Sequence, residues 1–136
     1  GEWASLRTWV VGAASSTSLI LSALREKILT ERERNKKNTT AAAIIYRREI
    51  VALASNDVNK THPLQGKYGR TPDAIYLHAE IAALAKFLRR RDVGDLSKST
   101  LYIARLKANG DWGNAKPCPG CARAIRAFGI KEIIYT

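Results

Sequence analysis

His78-Ala79-Glu80 and Pro117-Cys118-Pro119-Gly120-Cys121 are the stretches whose reading decides the rest of the chain. Together they place one imidazole, one carboxylate and two thiols in the pattern H-x-E followed by P-C-x-x-C. Two thiolates and a neutral imidazole are good zinc ligands, and three protein ligands leave a fourth position open to water. An open position separates a catalytic zinc from a structural one. Water on zinc becomes acidic enough to supply hydroxide near neutral pH. Glu80 is a poor fourth ligand for that role but a good proton carrier beside it. The expected metal ligands are therefore His78, Cys118 and Cys121, and the expected acid–base group is Glu80.

Spacing sharpens this reading. Cys118 and Cys121 are three apart and share one face of a helix. Pro119 suits the first helical position, with Cys118 as the cap. Both sulfurs then lie at a helix N-terminus, where the dipole and free N–H groups favour thiolates. His78 and Glu80 are about 200° apart around a regular helix. They reach one metal only from the first turn, with the ion beyond the helix end. Pro72 and Asp73 break the chain shortly before, so a helix from about Leu77 is expected. The zinc is thus expected between two helix N-termini.

A chain of 136 residues is read as one domain, with a helical region over 1–38 and a catalytic core over 39–136. A hydrophobic share of 46% and a charged share of 26% describe an ordinary globular protein. The net charge of +11 and a pI near 10.1 depart from that norm. Such a balance suits a polyanionic partner or a phosphorylated substrate. A solvated basic surface that only aids solubility is the plainer account. Two cysteines at this spacing argue against a disulfide scaffold. A redox dithiol would leave His78-Ala79-Glu80 as a coincidence. Thiolate ligands fit a reducing compartment, so a cytoplasmic location is expected. The absence of Met suggests that the sequence begins after a native start.

Trp9 to Leu24 is uncharged but too short, and too rich in Ser and Thr, to span a membrane. It reads as a helix covering a sheet, with Leu19, Ile20, Ala23, Leu24 and Ile28 at partial helical spacing. The charges from Glu26 to Lys37 form either its solvated end or a phosphate-contacting patch. Ala41–Tyr46 and Ile50–Ala54 read as a hairpin turned at Arg47-Arg48-Glu49, although Asn-Gly chemistry is lacking. A loop from Ser55 through Pro72 is expected to shape a pocket. Within it Asn56 is a substrate contact or a plain turn residue. His62 is a surface residue, a substrate contact, or a fourth ligand if the zinc is structural. Leu77–Arg91 reads as a helix packing through Ile81, Leu84, Ala85 and Leu88, closed by Arg89-Arg90-Arg91.

Thr100–Leu106 follows as a strand, and the loop Lys107–Lys116 carries Trp112, which either stacks on a base or packs as a lid. Pro119–Phe128 is the second metal helix, stopped by Gly129, and Lys131–Thr136 the last strand. Strand–helix–strand order favours parallel pairing with a right-handed crossover. The expected class is α/β, a mixed central sheet flanked by helices.

From about Thr39 to Thr136 the chain resembles the cytidine and deoxycytidylate deaminase superfamily. The residues that carry the likeness are His78-Ala79-Glu80-Ile81-Ala82-Ala83-Leu84, Pro117 to Ile125, Gly129-Ile130-Lys131 and Ile133-Ile134-Tyr135. The resemblance implies a three-layer cytidine-deaminase-like fold and hydrolytic deamination at zinc. It implies that Asn56 contacts the sugar or base, that the Ala79 N–H binds the pyrimidine carbonyl, and that Pro117 borders the substrate. Lys116 stands where many relatives have Glu. Many relatives also continue past the last strand, so a partner subunit would supply that region here unless the enzyme is minimal. Relatives commonly assemble, which makes a homo-oligomer an expectation. The expected substrate is cytosine in a free (deoxy)cytidine nucleoside or nucleotide. Cytosine or adenine in single-stranded DNA or RNA, including transfer RNA, is the alternative that the charge favours. A non-catalytic zinc-stabilised binding module is the third reading.

Overall fold

Ala41, Ala42, Ala43 and Ile44 are fully buried, which is what a strand covered on both faces requires. The computed structural model describes residues 4–5, 15–57, 63–68 and 77–136. In chain order the elements are β1 (Ala4–Ser5), α1 (Ser15–Arg34), β2 (Thr40–Tyr46), β3 (Glu49–Ser55), α2 (Pro63–Tyr68) and α3 (Ala79–Leu88). A 3₁₀ helix (Val93–Lys98), β4 (Thr100–Leu106), β5 (Trp112–Gly113), α4 (Pro119–Ala127) and β6 (Glu132–Tyr135) follow.

One sheet runs in the order β1-β6-β4-β2-β3. β2 lies antiparallel to both β3 and β4. β4 and β6 are parallel, as the strand–helix–strand order predicts, and β1 adds parallel to β6. β5 takes the end of β4 that β6 leaves, pairing at Arg105 and Leu106. The sheet is therefore mixed.

Alternation along the central strands sends side chains to two separate cores. Ala42, Ile44, Leu101, Ile103 and Ile133 pack with Ile81, Leu84 and Phe87 of α3 and Ile125 of α4. Ala41, Ala43, Tyr102, Ala104 and Ile134 pack with Ile20, Leu24 and Ile28 of α1. The result is three layers, with α3 and α4 on one face and α1 on the other. Small alanines in β2 let helices approach both faces of the sheet.

Several expectations need correction. The loop expected from Ser55 through Pro72 contains a helix, α2, and a 3₁₀ helix fills the connection before β4. β1 and β5 fall where no strand was read. Leu19 points outward at 72% exposure, so α1 packs chiefly through Ile20, Leu24 and Ile28, with Leu21 partly buried beside them. Within the charged end of α1, Arg32 is structural: its guanidinium donates to the carbonyls of Asn38, Leu106 and Lys107. It fastens the helix end to β4, so this residue is neither solvated nor a phosphate contact.

The β2–β3 turn is two residues long, not the three expected, because Glu49 pairs with Tyr46 and belongs to β3. Arg47 and Arg48 adopt φ of 51° and 66°, left-handed values that suit Asn-Gly far better. Among the described residues no helix is long and apolar enough to cross a membrane.

Candidate active site

His78 caps α3 with extended backbone, φ −76° and ψ 154°, and Glu80 follows in the first turn. Cys118 caps α4 with φ −65° and ψ 163°, and Pro119 occupies the first helical position. The Cys118 sulfur accepts the Cys121 N–H at 3.4 Å, as the capping argument expected. Two helix starts thus face each other, and their dipoles both favour negative sulfur.

The ligand atoms of His78, Cys118 and Cys121 all lie within 4.8 Å of one another. Nδ1 of His78 is 3.3 Å from the Cys121 sulfur and 3.7 Å from the Cys118 sulfur. A tetrahedral zinc with ordinary Zn–S and Zn–N bonds sets such atoms about 3.5–3.8 Å apart. The donor set and its spacing therefore fit zinc.

Electrostatics agree with a site built for a cation. Hydrogen bonds from Cys121 and His78 hold the Cys118 thiol down to about 3. The Cys118 sulfur and burial push the Cys121 thiol up, so the two sulfurs share a proton that a dication would displace. His78 is raised, chiefly by its hydrogen bond to Cys118. Glu80 is only 6% exposed, and burial raises its carboxyl above the ordinary range. A raised carboxyl is suited to carrying a proton at neutral pH.

A cavity of about 260 Å³ opens on this cluster. Thr40, Asn56, His78, Ala79, Glu80, Asn114, Ala115, Lys116 and Cys118 line it. Asn56 and Ala79, read as substrate contacts, are thus brought to the site. The Asn56 amide is partly committed: its oxygen accepts the N–H groups of Thr39 and Thr40, and its nitrogen donates to the Lys37 carbonyl. One N–H remains for a ligand. Pro117 is buried and is not among the lining residues. Trp112 packs against the core on the α1 side of the sheet, away from the cavity. His62, Pro72 and Asp73 lie outside the described residues.

Gln65 is a site residue that the sequence reading missed. It is 2% exposed in α2, and its Oε1 accepts the backbone N–H of His78 at 3.0 Å. The bond fixes the residue that presents the imidazole. Pro63 two residues earlier was the only local sign of a helix start.

The sheet order and the paired helix starts define a nucleobase-deaminase type of fold. Two crystal structures of the dCMP deaminase from cyanophage S-TIM5 share it. The apo form has TM-score 0.53 at 22% identity, over 85% of this chain and 81% of that one. The form with dCMP and dUMP has TM-score 0.56 at 22% identity, over 87% and 80%. Guanine deaminase from Bacillus subtilis has TM-score 0.53 at 21% identity, over 88% of this chain and 62% of that one. No curated protein sequence matches the chain significantly. Residues 18–136 match the family described as the cytidine and deoxycytidylate deaminase zinc-binding region, and the chain belongs to that family of hydrolytic deaminases. The match begins inside α1, ahead of the stretch from Thr39 on which the sequence likeness rested.

Proposed function

We propose that the protein hydrolyses the exocyclic amine of cytosine in a free cytidine or deoxycytidine nucleotide, giving uracil and ammonia. The observation that carries this reading is the buried Glu80 carboxyl, beside the His78, Cys118 and Cys121 cluster on the wall of a small cavity. Zinc held by those three residues would supply a water acidic enough to act as hydroxide near neutral pH. Glu80 takes that water's proton and delivers it to the ring nitrogen, which makes the adjacent ring carbon more electrophilic. After attack at that carbon, Glu80 takes the remaining proton of the added hydroxyl and gives it to the amine, so that the C–N bond breaks, ammonia leaves and the carbonyl forms. The Ala79 N–H, at the start of α3 where intrahelical partners are lacking, orients the base carbonyl. The remaining Asn56 N–H is offered to the sugar or base.

Two features favour a free nucleotide. The cavity of about 260 Å³ suits one base with its sugar. Lys116 lines it and offers a cation to a phosphate. The phage dCMP deaminase that shares the fold was solved with dCMP and dUMP, the nucleotides on either side of such a reaction.

The test is a panel of cytidine, deoxycytidine, their monophosphates, single-stranded DNA and transfer RNA, assayed for ammonia release at low and high salt. Turnover of a free monophosphate that is insensitive to salt is expected. Turnover confined to nucleic acid would overturn the substrate assignment. Glu80→Ala is expected to keep stoichiometric zinc and lose at least about a hundredfold in rate. Wild-type turnover in that variant would remove Glu80 from the mechanism.

A further inference from the structure

Five arginines that the site does not use gather at the far end of the sheet. Arg47 and Arg48 form the β2–β3 turn, and Arg89, Arg90 and Arg91 follow α3. The Tyr46 ring joins the two groups, with the guanidinium carbons of Arg47 and Arg91 at 5.1 and 5.3 Å from its centroid. That ring is itself fixed, since its hydroxyl donates to Asp95 at 3.3 Å and Phe87 packs against it at right angles. Arg89 and Arg90 lie along β3 beside Ile50 and Val51. All five arginines are exposed. Glu49, Asp92 and Asp95 stand in the same region, yet among the described residues none of the five arginines pairs with a carboxylate.

The turn gives this cluster its meaning. Both of its arginines sit at positive φ, where a residue with a Cβ is strained. Asn-Gly would close the same hairpin without strain. The chain instead carries two cations there, beside three more of like charge. A groove of about 620 Å³ opens beside Arg47 and Arg48 on the α1 face of the sheet, around the turn from the three arginines that follow α3. Its floor is apolar, from Ile20, Ile45 and Tyr102, and its rim is Arg47, Arg48 and Lys98. Guanidinium forks match phosphate oxygens in pairs, and an apolar floor accepts the face of an unpaired base. A second copy docking through the same surface would set like charge against like charge. A duplex would keep its bases out of the groove.

We propose that this end of the molecule docks single-stranded nucleic acid, with phosphates on the arginines and an unpaired base in the groove. The docking surface is separate from the deaminase centre. α3 has its N-terminus at the zinc ligands and its C-terminus at the arginines, and its 10 residues span about 15 Å. The inference stands apart from the nucleotide reading above, and either can fail alone.

Fluorescence anisotropy with labelled oligothymidylate tests it, because that strand holds no cytosine to deaminate. In Arg47→Asn/Arg48→Gly the turn is relieved of strain, so melting temperature should not fall. Affinity near physiological salt is expected to drop about tenfold, and the slope of log K against log salt to shrink by about 1.4, or about 0.7 per lost contact. Arg90→Gln/Arg91→Gln, on an exposed helix end, should show the same loss by a second route. Lys36→Gln/Lys107→Gln, at the opposite end of the sheet from the β2–β3 turn, should bind as wild type. Deamination of a free nucleotide should be unchanged in all three. An unchanged affinity or salt slope in the arginine variants would overturn the proposal. So would an equal loss in the lysine control, or competition by polyglutamate as effective as that by unlabelled oligothymidylate.

Discussion

His78 is gripped from two directions. Its ring nitrogen faces two sulfurs, and its backbone N–H is taken by Gln65. Gln65→Ala leaves that N–H unpaired in a closed setting, which costs about 1–3 kcal/mol. Groups that position a metal ligand typically affect metal affinity about 10–100-fold when removed, so zinc affinity should fall into that range. Gln65→Glu keeps an acceptor and should restore most of it. A competition titration against a chromophoric chelator measures both, and wild-type affinity in Gln65→Ala would show the bond to be incidental. His78, Glu80, Cys118 and Cys121 were legible because their spacing encodes geometry within a single helical turn. Gln65 was not, since its bond to His78 joins two segments across a stretch with no pattern. Trp112 and Asn56 show the same limit: which side of a sheet a loop residue meets, and which backbone groups occupy its amide, are not local properties.

α3 carries both the chemistry and much of the packing. Phe87 is fully buried in its last turns and meets Tyr46 edge-on at 6.3 Å. Phe87→Ala should cost about 3–5 kcal/mol in urea unfolding, since it removes a large buried ring and leaves a cavity. The zinc ligands sit at the other end of the helix, so the variant should still take up one zinc. A loss below about 1 kcal/mol would mean that the core collapses around the gap. The long strands and both site helices were readable from periodicity and caps. Six-residue α2 was not, because it is too short to show a helical period, and it is placed by packing on α4 through Tyr68 and Phe128, 6.5 Å apart. β1 and β5 are two residues each and exist only by pairing with β6 and β4. The register of the hairpin also lay outside local rules, because Arg47 and Arg48 take a turn that their side chains disfavour.

Across the whole molecule the zinc site ties α3 to α4 over one face of the sheet, so metal and fold should be coupled. At a thousandfold excess of zinc over its Kd the ion contributes about 4 kcal/mol, and chelation should lower the melting temperature accordingly. Acid should act in the same sense. Zinc needs a neutral imidazole and two thiolates. Because the His78 pKa is raised in the folded protein, protons compete for it at a higher pH than for a free imidazole. Zinc retention should therefore be complete near about pH 8 and lost progressively toward about pH 5. Metal content after dialysis across that range checks it, and full retention at the acid end would contradict the assigned ligands.

By itself the sequence determined which residues form the metal site, the mixed α/β class and the order of the main elements. Each of these is written in spacings of a few residues, at the scale of one helical turn or one strand repeat. Only the tertiary structure decided the rest: that Gln65 holds His78, that Arg32 clamps α1 to the sheet, that Trp112 turns away from the cavity, and that two groups of arginines meet around Tyr46. Those contacts join residues far apart in the chain. They depend on which layers pack together, and no local pattern of side chains carries that information.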